Sequence, residues 1–115
     1  VLTSRGLGDV YKRQDETDGK DAMLEFYAPW CGHCQALKPT YKELGTRLAG
    51  ADVVVGAMDA TANSPPDGYD VQGYPTLIFK TASGKTTSYD GDRDVDSMVA
   101  YIKEHAEAES VKSEL

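Results

Sequence analysis

The chain is 115 residues long and 40% hydrophobic, with 19 acidic against 12 basic residues and a net charge of −7. That length fits one domain with a modest core, and the acidic balance argues against nucleic acid or an anionic membrane as a partner. No run approaches the roughly 18 apolar residues that a membrane-spanning helix needs, and two cysteines make at most one bridge.

Val1 to Gln14 has no clear period, two glycines and scattered charge. It reads as a non-native, linker-like or disordered segment, and Val1 to Arg5 lacks the basic and apolar regions of a secretory signal. Asp15 to Asp21 is a polar connector whose charges are expected at the surface. Ala22 to Tyr27 is a short, mostly apolar run, the pattern of a strand buried on both faces. Its single carboxylate, Glu25, is flanked by Leu24 and Phe26, which favours burial.

After the paired cysteines, Leu37, Tyr41, Leu44 and Leu48 recur at helical spacing, with Gly50 as a stop and Pro39 as an expected kink. Val53 to Met58 is a second buried strand. Asp59 to Pro66 reads as a loop and Asp67 to Val71 as a short helical turn. Thr76 to Lys80 is a third strand, and a turn at Ala82 to Lys85 leads into an edge strand, Thr86 to Tyr89. Asp92 or Asp94 caps a last helix with Val95, Met98, Val99 and Ile102 inward. The tail from Glu107 to Leu115 is polar and expected to fray. The order β, α, β, short α, β, β, α predicts an α/β domain with a mixed sheet, because a helical crossover joins parallel strands.

The chemistry concentrates in Cys31-Gly32-His33-Cys34, where a strand gives way to a helix. A cysteine attacks only as thiolate. The unpaired N–H groups and dipole at a helix start favour that form at Cys31, and His33 adds a donor. Stabilising the thiolate makes the corresponding disulfide a stronger oxidant, since the thiolate exists only when the bridge is open. Cys34 is expected inward as the resolving thiol, leaving Cys31 exposed. A structural zinc site would need four ligands, and beyond the cysteines only His33 and His105 offer soft donors. A redox dithiol is the better reading.

Phe26-Tyr27-Ala28-Pro29-Trp30-Cys31-Gly32-His33-Cys34 resembles the active-site signature of the protein disulfide isomerase family within the thioredoxin superfamily. Pro39 and Tyr41, Met58 to Thr61, Gly73-Tyr74-Pro75-Thr76 and Tyr89 to Arg93 extend the match over about Ala22 to Ala106. The resemblance implies a thioredoxin-like fold, with a central mixed sheet flanked by helices, over residues 15–107. It implies Pro75 as a cis-proline facing the dithiol, the backbone of Tyr74 as a docking edge for an extended substrate, and Trp30 as an apolar contact at the site. On the residues alone, Trp30 reads equally well as core, and Tyr74-Pro75 as an ordinary loop. Glu25 is implied as the group that takes the proton from Cys34. Arg93 is implied to swing toward Cys34, although its setting among Asp90, Asp92 and Asp94 also suits a solvated loop.

The sequence departs from the family in places. Gln35 follows the second cysteine where the family has lysine, and Ala57 stands where the family's lysine pairs with the buried glutamate. Glu25 is therefore expected to hold its proton more easily. Residues 1–21 supply no convincing first strand and helix, so the domain is expected to lack them.

Lys112-Ser113-Glu114-Leu115, within the polar segment 108–115, resembles an endoplasmic reticulum retrieval signal. Together these features imply a lumenal thiol–disulfide oxidoreductase and isomerase, the last catalytic piece of a longer protein. Its expected partners are unfolded or misbridged proteins, with glutathione or an upstream oxidase. It needs no cofactor beyond its own Cys31–Cys34 disulfide. A thioredoxin-type reductase and a chaperone-like client-binding module are the competing readings.

Overall fold

The computed structural model describes residues 19–65 and 68–114. The expectations placed on residues 1–14 and on Leu115 lie outside the described residues. Seven elements follow in order: β1 (Asp21–Tyr27), α1 (Gly32–Arg47), β2 (Val53–Asp59), β3 (Thr76–Lys80), β4 (Thr86–Ser88), α2 (Val95–His105) and α3 (Glu109–Glu114).

The strands form one mixed sheet in the order β2-β1-β3-β4. β1 runs parallel to β2, as a helical crossover requires, and antiparallel to β3, which pairs with β4 in a hairpin. Gly84, at φ +99°, supplies the left-handed residue of that hairpin's turn. Among the described residues no strand precedes β1, and β2 stands at one edge.

Strand alternation sorts β1 into two faces. Ala22, Leu24 and Phe26 pack with Val54, Met58 and Ile78 on one side. Met23 points to the other, into the larger core with Leu37, Tyr41 and Leu44 of α1 and Met98, Val99 and Ile102 of α2. By the same period of two, Glu25 shares the face of Met23. Tyr41 is fully buried, its hydroxyl donating toward the carbonyls of Met23 (2.9 Å) and Gly56 (2.7 Å), which seats α1 across the β1–β2 pair.

α1 continues through Pro39 rather than breaking there, and it stops at Leu48, before Gly50. Asp94, not Asp92, caps α2, its carboxylate accepting from the Ser97 N–H at 2.8 Å. The short helical turn expected at Asp67 to Val71 falls partly outside the described residues. Two expectations need correction. Asp21, assigned to a surface connector, is fully buried, because its carboxylate accepts from the N–H groups of Ala82, Glu107 and Ala108, each at 3.0 Å. The tail does not fray: Val111 of α3 is fully buried against the main core, and the Glu107 carboxylate accepts from Ser83 N–H at 2.8 Å. Val111 and Ala108 are the apolar residues of this polar stretch that pack against the core.

Candidate active site

β1 delivers the chain to Ala28, the backbone turns over Pro29 and Trp30, and α1 begins at Gly32. Cys31 is therefore the residue that caps α1, with extended backbone (φ −78°, ψ 120°). Its Sγ accepts from the Cys34 N–H at 3.2 Å, the place a capping oxygen would take. Its thiol also lies 3.6 Å from the Tyr74 carbonyl.

Exposure does not separate the two cysteines as expected. Cys31 is 7% exposed and Cys34 5%. The Cys31 sulfur folds back over the helix start, packed with Ala28 and Cys34 against Tyr27 and Tyr74. The asymmetry is one of protonation instead. The hydrogen bond that the Cys34 thiol gives Cys31 is the largest influence holding the Cys31 thiol below its ordinary range, helped by the backbone N–H groups of Cys34 and His33 and by the field of Arg93. Burial first, then that same hydrogen bond, push Cys34 up to about 11. The Cys31 thiol gives up its proton more readily than an ordinary cysteine, and the Cys34 thiol less readily.

His33 acts on Cys31 through its backbone N–H. Gly32 meets no steric restriction, since a Cβ there would touch nothing within 4 Å. The Gln35 side chain donates to the Pro29 carbonyl at 2.9 Å and ties the first turn of α1 to the bend before it.

The Tyr74–Pro75 peptide is cis. Trp30 is no core residue: it is 72% exposed and meets the Tyr74 ring edge-on, centroids 5.7 Å apart. An apolar ledge therefore stands beside the reactive sulfur.

Glu25 is 5% exposed, and burial pushes its carboxyl up to about 7 against the opposing fields of Arg93 and Lys38. Its strand neighbour on β2 is Ala57. Arg93, on the loop ahead of α2, is exposed and acts on Glu25 and Cys31; its expected action on Cys34 is not resolved. Sequence reasoning missed Lys38. The signal was present, because Lys38 follows Cys34 by four residues and so shares its face of α1. Among the described residues no three histidine, cysteine or acidic side chains are grouped to hold a metal.

The thioredoxin family matches residues 9–104, a wider span than the signature residues alone suggested. Protein disulfide-isomerase of Zea mays is 54% identical over 90 residues, 77% of this chain and 18% of that protein. Protein disulfide-isomerase A3 of Gallus gallus is 40% identical over 117 residues, 99% of this chain and 22% of that protein. The chain thus spans about a fifth of the length of these curated relatives. Among solved structures, the first thioredoxin domain of mouse protein disulfide-isomerase A4 superposes with a TM-score of 0.70 at 37% identity, covering 85% of this chain and 71% of that one. Human ERp44 gives a TM-score of 0.73 at 26% identity, covering 86% of this chain and 32% of that one. The chain belongs to the thioredoxin family, and the relatives it matches at about half identity are protein disulfide isomerases.

Proposed function

We propose that this domain is a thiol–disulfide oxidoreductase and isomerase of protein substrates. The observation that carries the proposal is the capping of α1 by Cys31, with its sulfur 3.2 Å from the Cys34 N–H and the two thiols pushed in opposite directions. In oxidation, a substrate thiolate attacks Cys31 of the Cys31–Cys34 disulfide and releases Cys34, and a second substrate thiolate then attacks the substrate sulfur of this mixed disulfide, forming the substrate bridge and expelling Cys31 as thiolate. In isomerisation, the Cys31 thiolate attacks a wrong bridge, and the freed substrate sulfur attacks elsewhere. If that fails, Cys34 attacks Cys31 and expels the substrate as thiol.

Within this reading, Glu25 accepts the proton that Cys34 must lose, and Arg93 steadies the anionic states. The Trp30–Tyr74 ledge and the Tyr74 backbone ahead of Pro75 receive an extended segment of an unfolded or misbridged protein. Glutathione or an upstream oxidase restores the disulfide. The disulfide-isomerase relatives and the need for an oxidising medium support the endoplasmic reticulum lumen as its place of work.

Refolding of a reduced, scrambled test protein checks the assignment. Cys31→Ser is expected to abolish turnover, while Cys34→Ser keeps the first attack and accumulates substrate as a mixed disulfide on Cys31. Equal residual activity in the two variants would sink it.

A further inference from the structure

Beside Cys34 lies a cavity of about 360 Å³, lined by Glu25, Cys34, Lys38, Ala57, Asp59 and Asn63 among others. Its floor is the buried Glu25. Its rim includes the exposed Gln35 and Lys38, so it joins an almost inaccessible carboxyl to the surface. The space follows from Ala57, which faces Glu25 across the β1–β2 ladder and ends at Cβ, where a long side chain would fill it. The volume holds several waters, and its polar lining offers them partners.

We propose that this cavity is the passage through which Glu25 exchanges its proton with water, and that Lys38 on its wall is the positioning cation for the Glu25 carboxylate. The inference rests on the thiol–disulfide reading above and assigns the proton route and a residue to it. In the resolving step Glu25 takes the proton of the Cys34 thiol. The Cys34 sulfur then bonds to the Cys31 sulfur, and the Cys31–substrate S–S bond breaks. The substrate sulfur leaves with the electron pair and gains a proton from water, reduced as the cysteine pair is oxidised. Glu25 must shed its proton before the next cycle, and the cavity joins it to the surface.

Each charged or titratable group around Glu25 has a place in this scheme. Cys34, Lys38 and Tyr41 face it from α1, Tyr27 from the end of its own strand, Asp59 from β2 and Arg93 from the loop ahead of α2, while its β3 neighbour is Leu77. Asp59 is occupied at the rim, its carboxylate accepting from Thr61 N–H (2.9 Å) and hydroxyl (2.6 Å). Among the described residues Lys38 is thus the one cation on the cavity wall, and Arg93 acts from outside it.

The test is a titration of the Glu25 carboxyl carbon by NMR in the reduced protein, with the pH profile of resolution for a Cys31 mixed disulfide with thionitrobenzoate. Lys38→Gln is expected to raise the Glu25 midpoint by about 0.5 pH unit and to move the resolution profile with it. Lys38→Arg should restore both. Ala57→Leu, which plugs the cavity, should raise the midpoint by about 1 unit. Ala57→Lys combined with Lys38→Gln, which moves the cation across the cavity, should return it. An unmoved midpoint in Lys38→Gln, a surface change that leaves the core intact, overturns the proposal. If oxidative turnover is normal in that case, the thiol–disulfide reading stands and only this inference fails. Failure of Cys34→Ser to trap substrate would instead remove the thiol–disulfide reading and leave the carboxyl titration as measured.

Discussion

Strand β1 carries two buried carboxylates, Asp21 at its start and Glu25 near its end, and the protein treats them in opposite ways. Asp21 is fully enclosed but satisfied, its two oxygens accepting from the N–H groups of Ala82, Glu107 and Ala108. Those bonds fasten the β3–β4 turn and the approach to α3 onto the first strand. Among the described residues no hydrogen bond reaches the Glu25 carboxyl; it faces a cavity and two cations at a distance, and burial lifts it to about 7. A carboxyl group with three N–H donors is a structural fastener. One with none is kept on the edge of protonation, where proton transfer at neutral pH is efficient.

The sharpest way to break this contrast is to remove the satisfied partner. Asp21→Ala strands three part-buried N–H groups, each worth about 1–3 kcal/mol when left unpaired, so it should cost about 4 kcal/mol of stability. Urea unfolding measures the loss, and the resolution rate of the folded fraction should stay within about two-fold, because the dithiol sits at the other end of the strand. A loss under about 1 kcal/mol would mean that Val111, Ala108 and the Glu107–Ser83 contacts hold the tail without Asp21.

Glu25→Gln should do the reverse. The wild-type carboxyl moves from 4.5 to about 7 on folding, so folding favours its protonated form. Its contribution is fully present below about pH 4.5 and is lost as pH rises through about 7, which makes the wild type about 3 kcal/mol less stable at pH 8 than this group allows at pH 4. The neutral amide removes that penalty. The variant should therefore gain about 3 kcal/mol over wild type at pH 8 and nothing at pH 4, while resolution at Cys34 slows about 10²-fold. Equal stability differences at both pH values would show that Glu25 is not raised.

The contrast also explains what the sequence could and could not disclose. The strands announced themselves as short β-branched and apolar runs, α1 by Leu37, Tyr41 and Leu44, and the cap of α2 by Asp94. The dithiol was legible because its parts are neighbours in sequence, and Glu25 because a lone charge inside an apolar run must be buried with the strand. Asp21 was misread as surface because its donors lie 61, 86 and 87 residues away, with no local pattern to mark them. The exposure of the two sulfurs was misjudged for a related reason. Cys31 is covered by Tyr74, 43 residues on, whose place beside it only the assembled fold supplies.

A third carboxylate completes the comparison. Asp96 of α2 meets Arg47 at the end of α1 at 2.6 Å, shorter than any of the contacts around Asp21. Both side chains are largely in solvent, 87% and 50% exposed, so water already solvates each charge and ordering two long side chains offsets the attraction. Asp96→Ala should change stability by about 0.5 kcal/mol or less, and 0.5 M salt should erase even that. A loss above about 1.5 kcal/mol, persisting in salt, would mean that this pair does fasten α1 to α2. The expected order, Asp21 then Glu25 then Asp96, runs opposite to what the shortest contact distance would suggest. What each carboxylate is worth follows from how much water it has given up and how many donors replace that water.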